Sequence, residues 1–168
     1  MAILTCREQN FIIRPFRPGD APAARRLIET VWREHFHDHP DPFVRDFMYS
    51  RLSDLENTET LYVDRALFLC AIAENEIIGT GAIKRCDDRE CEMVRMFVGP
   101  AYRGRGIARA ISDRLISFAR RAGYERIRLS SNNALTASHR LYERMGFQPT
   151  GPWDPGGEGY SRYYVLRI

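Results

Sequence analysis

The residues with the most chemical content form one short run, Arg103-Gly104-Arg105-Gly106-Ile107-Ala108. It follows Met93-Val94-Arg95-Met96-Phe97-Val98, an apolar stretch that reads as a buried strand. It opens a helical pattern that continues to about Ala122. A strand, a glycine-containing turn and a helix start together aim backbone N–H groups at whatever lies before the helix. Such a place suits phosphate, because the first N–H groups of a helix lack internal partners and the helix dipole favours anions.

Two nucleotide readings of this run fail on the residues present. A dinucleotide fold asks for G-x-G-x-x-G. Gly104 and Gly106 fit, but Arg109 stands at the third glycine, and Leu129-Ser130-Ser131-Asn132 offers no acidic ribose ligand after the next strand. A P-loop asks for a lysine after its last glycine, and none follows either glycine. A second stretch, His35-Phe36-His37-Asp38-His39, has metal-like spacing. No further ligand set accompanies it, so it reads as a solvated loop, and no metal is expected.

The chain must supply elements that hold the glycine run in place. Its 168 residues fit one domain spanning 1–168. With 44% hydrophobic and 28% charged residues, it has the composition of a soluble globular protein. No apolar run approaches bilayer length, and the N-terminal residues lack a signal-peptide layout. A cytoplasmic protein without a membrane partner is therefore expected. The net charge of +3 admits an anionic ligand without demanding nucleic acid. Arg103, Arg105, Arg109, Arg114, Arg120 and Arg121 spread around their helix instead of forming a stripe, which also argues against nucleic acid. Four cysteines (Cys6, Cys70, Cys86, Cys91) lack metal spacing and are too few for a disulfide scaffold. Cys86 and Cys91 could face each other across a hairpin, but free thiols are expected.

Periodicity and punctuation give the order β-α-α-β-β-β-α-β-α-β-β. The first strand covers residues 11–16. Asp20 reads as an N-cap, with a helix over residues 23–32. Residues 35–42 read as a loop and 43–55 as a second helix. Strands at 67–73, 77–84 and 92–98 form an antiparallel meander around turns at 74–76 and 87–89. A helix over 104–122 ends at Gly123, and a strand at 127–130 can lie parallel to the one before that helix. A helix over 135–145 stops at Gly146. A short strand from Phe147, a Gly/Pro-rich loop over 149–159 and a strand at 163–168 complete the chain. This order predicts a three-layer α/β domain with a mixed sheet.

Two segments then carry a resemblance. Arg103-x-x-Gly106-x-Ala108 matches R/Q-x-x-G-x-G/A, and Leu141-Tyr142-Glu143-Arg144-Met145-Gly146-Phe147 matches L-Y-x-x-x-G-F. In this order and spacing they resemble the GNAT N-acetyltransferase superfamily, closely over residues 92–147 and by element order elsewhere. The resemblance implies a mostly antiparallel sheet with a splayed central parallel strand pair and helices on both faces. It also implies acetyl-CoA as the ligand. The pyrophosphate would rest on the N–H groups of Arg103, Gly104, Arg105, Gly106, Ile107 and Ala108, where glycine allows close backbone approach. The Arg103 and Arg105 side chains can add charge-assisted contacts. Met96, Phe97 and Val98 would offer backbone groups to the pantetheine arm, as to an added strand.

Acetyl transfer from a thioester to an amine requires a deprotonated amine, a stabilised oxyanion and a proton for the leaving thiolate. The resemblance implies that Tyr142 is the general acid, since a phenol stays protonated at neutral pH. It implies Glu92, in Glu92-x-x-Arg95-x-x-Val98, as a base acting directly or through water; the other reading is a strand-end carboxylate paired with Arg95. The Val98 N–H is the implied oxyanion donor. Many relatives carry a cofactor-contacting asparagine seven residues before the tyrosine, where this chain has Leu135. Asn132 or Asn133 could substitute, or could serve as cap or turn residues. Ser138 and His139 could approach the CoA arm or be surface residues. Element order would place Trp32, Phe36, Phe43, Tyr49, Trp153 and Tyr160 around an acceptor, with Glu34, Asp38 and Asp154 available to an ammonium.

The expected function is thus N-acetyl transfer to a primary amine on a small molecule or protein, by direct attack in a ternary complex. The alternatives are a non-catalytic CoA-binding sensor, or an acyltransferase with another donor or acceptor. The final strands could also support a homodimer.

Overall fold

The computed structural model describes residues 10–36, 54–133, 135–151 and 161–168. Seven strands make one sheet in the order β1-β2-β3-β4-β5-β7-β6. Its middle is the meander: β2 (Leu67–Ala73), β3 (Glu76–Arg85) and β4 (Glu90–Val98), antiparallel throughout. β1 (Ile12–Pro15) adds to one edge of β2. β5 (Arg126–Asn132) runs parallel to β4, and β7 (Ser161–Arg167) and β6 (Gln148–Thr150) follow antiparallel. Pro149 is tolerated in β6 because this is an edge strand. The mixed sheet with one central parallel pair and helices on both faces is the expected architecture.

α1 (Ala21–Phe36) covers one face. Ala24, Ile28, Trp32 and Phe36 recur at helical spacing and pack on Phe68 and Ala82, with Val94 and Phe97 against them. On the other face, α3 (Ile107–Arg121) and α4 (Thr136–Arg144) cover the larger core. There Ile107, Ile111, Leu115, Tyr142 and Phe147 meet Ile83, Met93, Leu129 and Tyr164. Glycine lets α3 come close. A Cβ at Gly81 would lie 2.5 Å from an Ile111 methyl and 2.4 Å from the Met96 sulfur, and one at Gly79 would lie 2.9 Å from Ile107.

Several boundaries differ from the sequence expectation, each for a local reason. α1 extends to Phe36, because Val31, Trp32 and Phe36 continue its buried stripe; His35 is therefore helical. Asp20 does not cap α1. It ends a 3-10 turn (Pro18–Asp20), accepts from the Arg17 N–H at 2.7 Å and receives both guanidinium nitrogens of Arg14 at 2.6 and 2.9 Å. α3 begins at Ile107, not at residue 104, since Gly104 and Gly106 adopt left-handed φ of 75° and 80°. The expected helix over 43–55 lies outside the described residues up to 53; beyond it a single turn, α2 (Thr58–Leu61), was not anticipated. Cys70, Cys86 and Cys91 are free thiols, Cys91 buried and Cys86 exposed. Cys6 lies outside the described residues. No helix among the described residues is long and apolar enough to cross a membrane.

Candidate active site

The site begins where β4 and β5 separate. The parallel pairing runs only through Glu90↔Arg126, Cys91↔Ile127 and Glu92↔Arg128. Beyond it, β4 continues to Val98 beside β3, and β5 continues to Asn132 beside β7. A sheet that splits in this way leaves backbone groups on both inner edges without a strand partner.

A bulge in β4 decides which groups those are. The β3 register shifts between Thr80↔Phe97 and Ala82↔Val94, so Arg95 and Met96 together face Gly81. Arg95 takes φ of 59°, rare for a side chain longer than asparagine. Thr80, fully buried, donates its hydroxyl to the Arg95 carbonyl at 2.8 Å. The Arg95 guanidinium pairs with Asp54 at 2.8 Å, and the Tyr62 hydroxyl donates to the same carboxylate at 2.9 Å. The Gly99 N–H donates to the Ile78 carbonyl at 2.9 Å. Antiparallel alternation then turns the Phe97 backbone groups toward β3, and those of Met96 and Val98 into the split.

The bulge also reverses the faces. Glu92 shares the α1 face with Val94, whereas Met96 packs toward α3 at Gly81. Glu92 stands at the last paired position, the floor of the split, with its carboxylate 3.9 Å from Arg128. Arg128 is drawn closer to Glu90, at 3.3 Å, and Arg126 holds Glu90 at 2.5 Å. The Arg95 ion pair is with Asp54.

The glycine run lies at the open end of the split. Gly99 starts a 3-10 turn (Pro100–Tyr102), and Gly104 and Gly106 complete the loop into α3. The first helical bond is Ala110 N–H to Gly106 carbonyl at 2.9 Å, so the N–H groups of Ile107, Ala108 and Arg109 precede the helical ladder. A Cβ at Gly104 or Gly106 would meet nothing within 4 Å. Glycine is needed here for its φ and leaves room for a ligand. The arginines are engaged elsewhere. Arg103 forms a bidentate pair with Glu34 of α1, both bonds 2.8 Å, which holds the Glu34 carboxyl below its usual range. Arg105 donates to the Ala101 carbonyl at 3.1 Å and lies over the Tyr102 ring. Ile107 is buried and Ala108 half-buried.

Tyr142 comes to the opposite face from α4. It is buried, 5.8 Å from the Phe147 ring and 6.3 Å from that of Tyr164. Burial pushes its phenol far above the ordinary tyrosine value, so it stays protonated. Leu135 immediately precedes α4 and gives no side-chain cap. Asn132 ends β5, its carbonyl accepting from the Leu135 N–H at 3.0 Å; Asn133 is exposed in the following turn and Ser138 is half-buried. Trp32 and Phe36 are core residues, Trp32 edge-on to Phe97 at 6.0 Å. Phe43, Tyr49, Trp153, Tyr160, Asp38, Asp154, His37 and His39 lie outside the described residues. No metal-holding cluster occurs among the described residues.

Sequence reasoning missed Thr80 and Tyr164. Thr80 looked like one more strand residue, and only the bulge gives its hydroxyl a task. Tyr164, fully buried, donates to Glu143 at 3.2 Å, and its ring lies beside that of Tyr142 on the same face of the sheet.

The family model described as the acetyltransferase (GNAT) family matches residues 24–147. N-acetylaspartate synthetase from Danio rerio is 33% identical over 102 residues, covering 59% of this chain and 36% of that protein. The chain thus spans about a third of the length of these curated relatives. An uncharacterized N-acetyltransferase from Mycobacterium tuberculosis is 29% identical over 108 residues, covering 64% of this chain and 69% of that protein. Among solved structures, an acetyltransferase from Streptococcus agalactiae superposes with a TM-score of 0.79 at 23% identity, covering 95% of this chain and 99% of that one. An N-acetyltransferase from Thermoplasma acidophilum in complex with coenzyme A gives 0.77 at 15% identity, covering 94% and 99%. With the family match extending over most of the split sheet, the glycine loop and Tyr142, the chain belongs to the GNAT acetyltransferase family.

Proposed function

We propose that the chain transfers an acetyl group from acetyl-CoA to a primary amine by direct attack in a ternary complex. One observation carries the reading: Glu92 and Tyr142 stand on opposite faces of the sheet, and the split beyond Glu92↔Arg128 is the gap through which a single reacting centre could reach both.

In this mechanism the pyrophosphate rests against the N–H groups of residues 103–108, and the pantetheine arm lies along the backbone of Met96 and Val98. Glu92, directly or through water, takes the proton from the ammonium. The amine nitrogen then bonds to the thioester carbonyl carbon, and the Val98 N–H donates to the oxyanion. When the carbon–sulfur bond breaks, its electron pair leaves on sulfur, Tyr142 gives the thiolate a proton, and the excess proton on the new amide nitrogen passes to the Tyr142 phenolate, leaving a neutral amide and a neutral phenol. Burial keeps that phenol protonated, so the proton is there to donate. No covalent enzyme nucleophile is needed. The Arg103 guanidinium reaches a phosphate only by leaving Glu34. That exposed pair is worth about 0–1 kcal/mol, so the exchange is accessible.

The test is Tyr142→Phe in the purified protein. It should bind CoA like the wild type and lower turnover by about 10²-fold or more. Unchanged turnover would remove Tyr142 from the acid role.

A further inference from the structure

A row of charged side chains crosses the floor of the split. Lys84 of β3 stands opposite Glu92 of β4, and Glu92 stands opposite Arg128 of β5. Strand partners at one register position share a face, so the three lie side by side, on the face that carries α1. Among the described residues, the apolar packing of α1 reaches β2, β3 and β4 and stops short of β5. The Arg128 and Glu92 side chains are accordingly 26% and 24% exposed, open to a ligand from that side.

The charges around this row balance only while Glu92 is ionised. Arg128 lies 3.3 Å from Glu90 and 3.9 Å from Glu92, but Glu90 is also held by Arg126 at 2.5 Å. Lys84, Arg126 and Arg128 thus face Glu90 and Glu92, with Asp87 in the adjoining turn. Ammonium and guanidinium groups keep their charge at working pH. Once Glu92 takes a proton from the acceptor, the row is left net positive beside Arg128. A carboxylate on the acceptor itself would answer that charge. In an α-amino acid, the ammonium nitrogen and the nearer carboxylate oxygen are about 3 Å apart at ordinary bond lengths. Glu92 and Arg128, 3.9 Å apart, can hold the two ends of such a zwitterion. The fork of a guanidinium also matches a carboxylate in geometry. An alkylamine, a protein lysine or a protein N-terminus brings an ammonium without that carboxylate.

We propose that the acceptor is a free α-amino acid, its carboxylate held by Arg128 and its ammonium facing Glu92. This rests on the reading of Glu92 as base given above. Arg128 is thereby a substrate-binding residue that selects acids over neutral amines. The bound carboxylate replaces the negative charge that Glu92 gives up on taking the proton.

The test measures thiol release from acetyl-CoA with the common α-amino acids, each beside its carboxamide, which keeps the amine and loses the carboxylate charge. Simple alkylamines complete the set. Wild type should favour at least one amino acid over its carboxamide by about tenfold or more in kcat/KM. Arg128→Gln should cut that preference about tenfold, chiefly by raising KM for the acid. Arg128→Lys, which keeps the charge and loses the fork, should cut it less, and it carries the comparison should the Gln variant melt too low to assay. A preference unchanged in both variants overturns the proposal, and so does equal loss on acid and carboxamide, which would mean that Arg128 serves only Glu92 or the fold. A wild type that acetylates alkylamines or carboxamides but prefers no amino acid also overturns it, and leaves acetyl transfer standing. Release with no amine at all overturns the acetyl-transfer reading first, and this inference with it.

Discussion

Gly106 adopts φ of 80° with open space where a Cβ would stand, so two effects of a methyl group can be separated there. Gly106→Ala meets no clash in the free protein. Its folding penalty should be that of a left-handed alanine, about 1–2 kcal/mol. The methyl group would, however, occupy the space a phosphate needs, and CoA affinity should fall about tenfold or more, equivalent to 1.4 kcal/mol. Calorimetry beside a denaturant melt checks both; unchanged affinity would move the pyrophosphate elsewhere. Glu92 gives the second prediction at this scale. Glu92→Gln keeps the shape and removes the charge near Arg128. Loss of a general base should lower kcat/KM by about 10²-fold. A variant with unaltered kcat/KM would leave Glu92 as a strand-end carboxylate. Residue types and spacing singled out the glycine loop as an anion site, and the family resemblance singled out Tyr142 and Glu92 as candidates. They could not show that Arg103 turns to Glu34, because those residues stand 69 positions apart and meet only once α1 packs on the sheet. His139 likewise reads as an ordinary helix residue until its burial is known.

At the scale of elements, β4 does most of the positioning, and its bulge was not legible. Arg95 interrupts an apolar run, but nothing local reveals that it takes φ of 59° or that Thr80 of the neighbouring strand holds its carbonyl. Register is a property of two strands, whereas the alternation that identified β2, β3 and β4 is a property of each one. The bulge is what faces Met96 and Val98 into the split. Thr80→Val, nearly isosteric, removes the hydroxyl bond and should destabilise the fold by about 1–3 kcal/mol. It should also weaken CoA binding from a distance, with Thr80→Ser restoring both. If Thr80→Val lost stability while binding CoA normally, the bulge would be a packing feature without consequence for the site. The ends of α1 and α3 were misplaced for related reasons. A helix continues while its stripe finds a partner, as α1 does to Phe36, and starts where φ permits, as α3 does at Ile107.

For the whole molecule, the two cores on either side of the sheet hold several ionisable groups in their neutral form. Burial pushes the Cys70 and Cys91 thiols from near 9.0 up to about 12. It also raises the phenols of Tyr62 and Tyr142 well above their ordinary values. These folded-state pKa values exceed those of the unfolded chain, so the folded protein keeps protons that the unfolded chain releases. The stability linked to them is fully present below about pH 9 and is lost as the pH rises toward 12. Thermal melts from pH 7 to 11 should therefore fall steeply above pH 9; a flat melting temperature to pH 11 would contradict the burial of these groups. The layer order itself was legible, since strand and helix periods alternate along the chain. The acceptor was not, because side chains and loops around the split, and not the layer order, choose it.

If the split sheet brings an acyl thioester and an amine together, the purified protein should release thiol from acetyl-CoA in the presence of at least one of a panel of primary amines. Release should need both an amine and the protein and should fall in Tyr142→Phe. CoA binding without release from any amine would favour a sensor, and the absence of both binding and release would contradict acetyl transfer at the split.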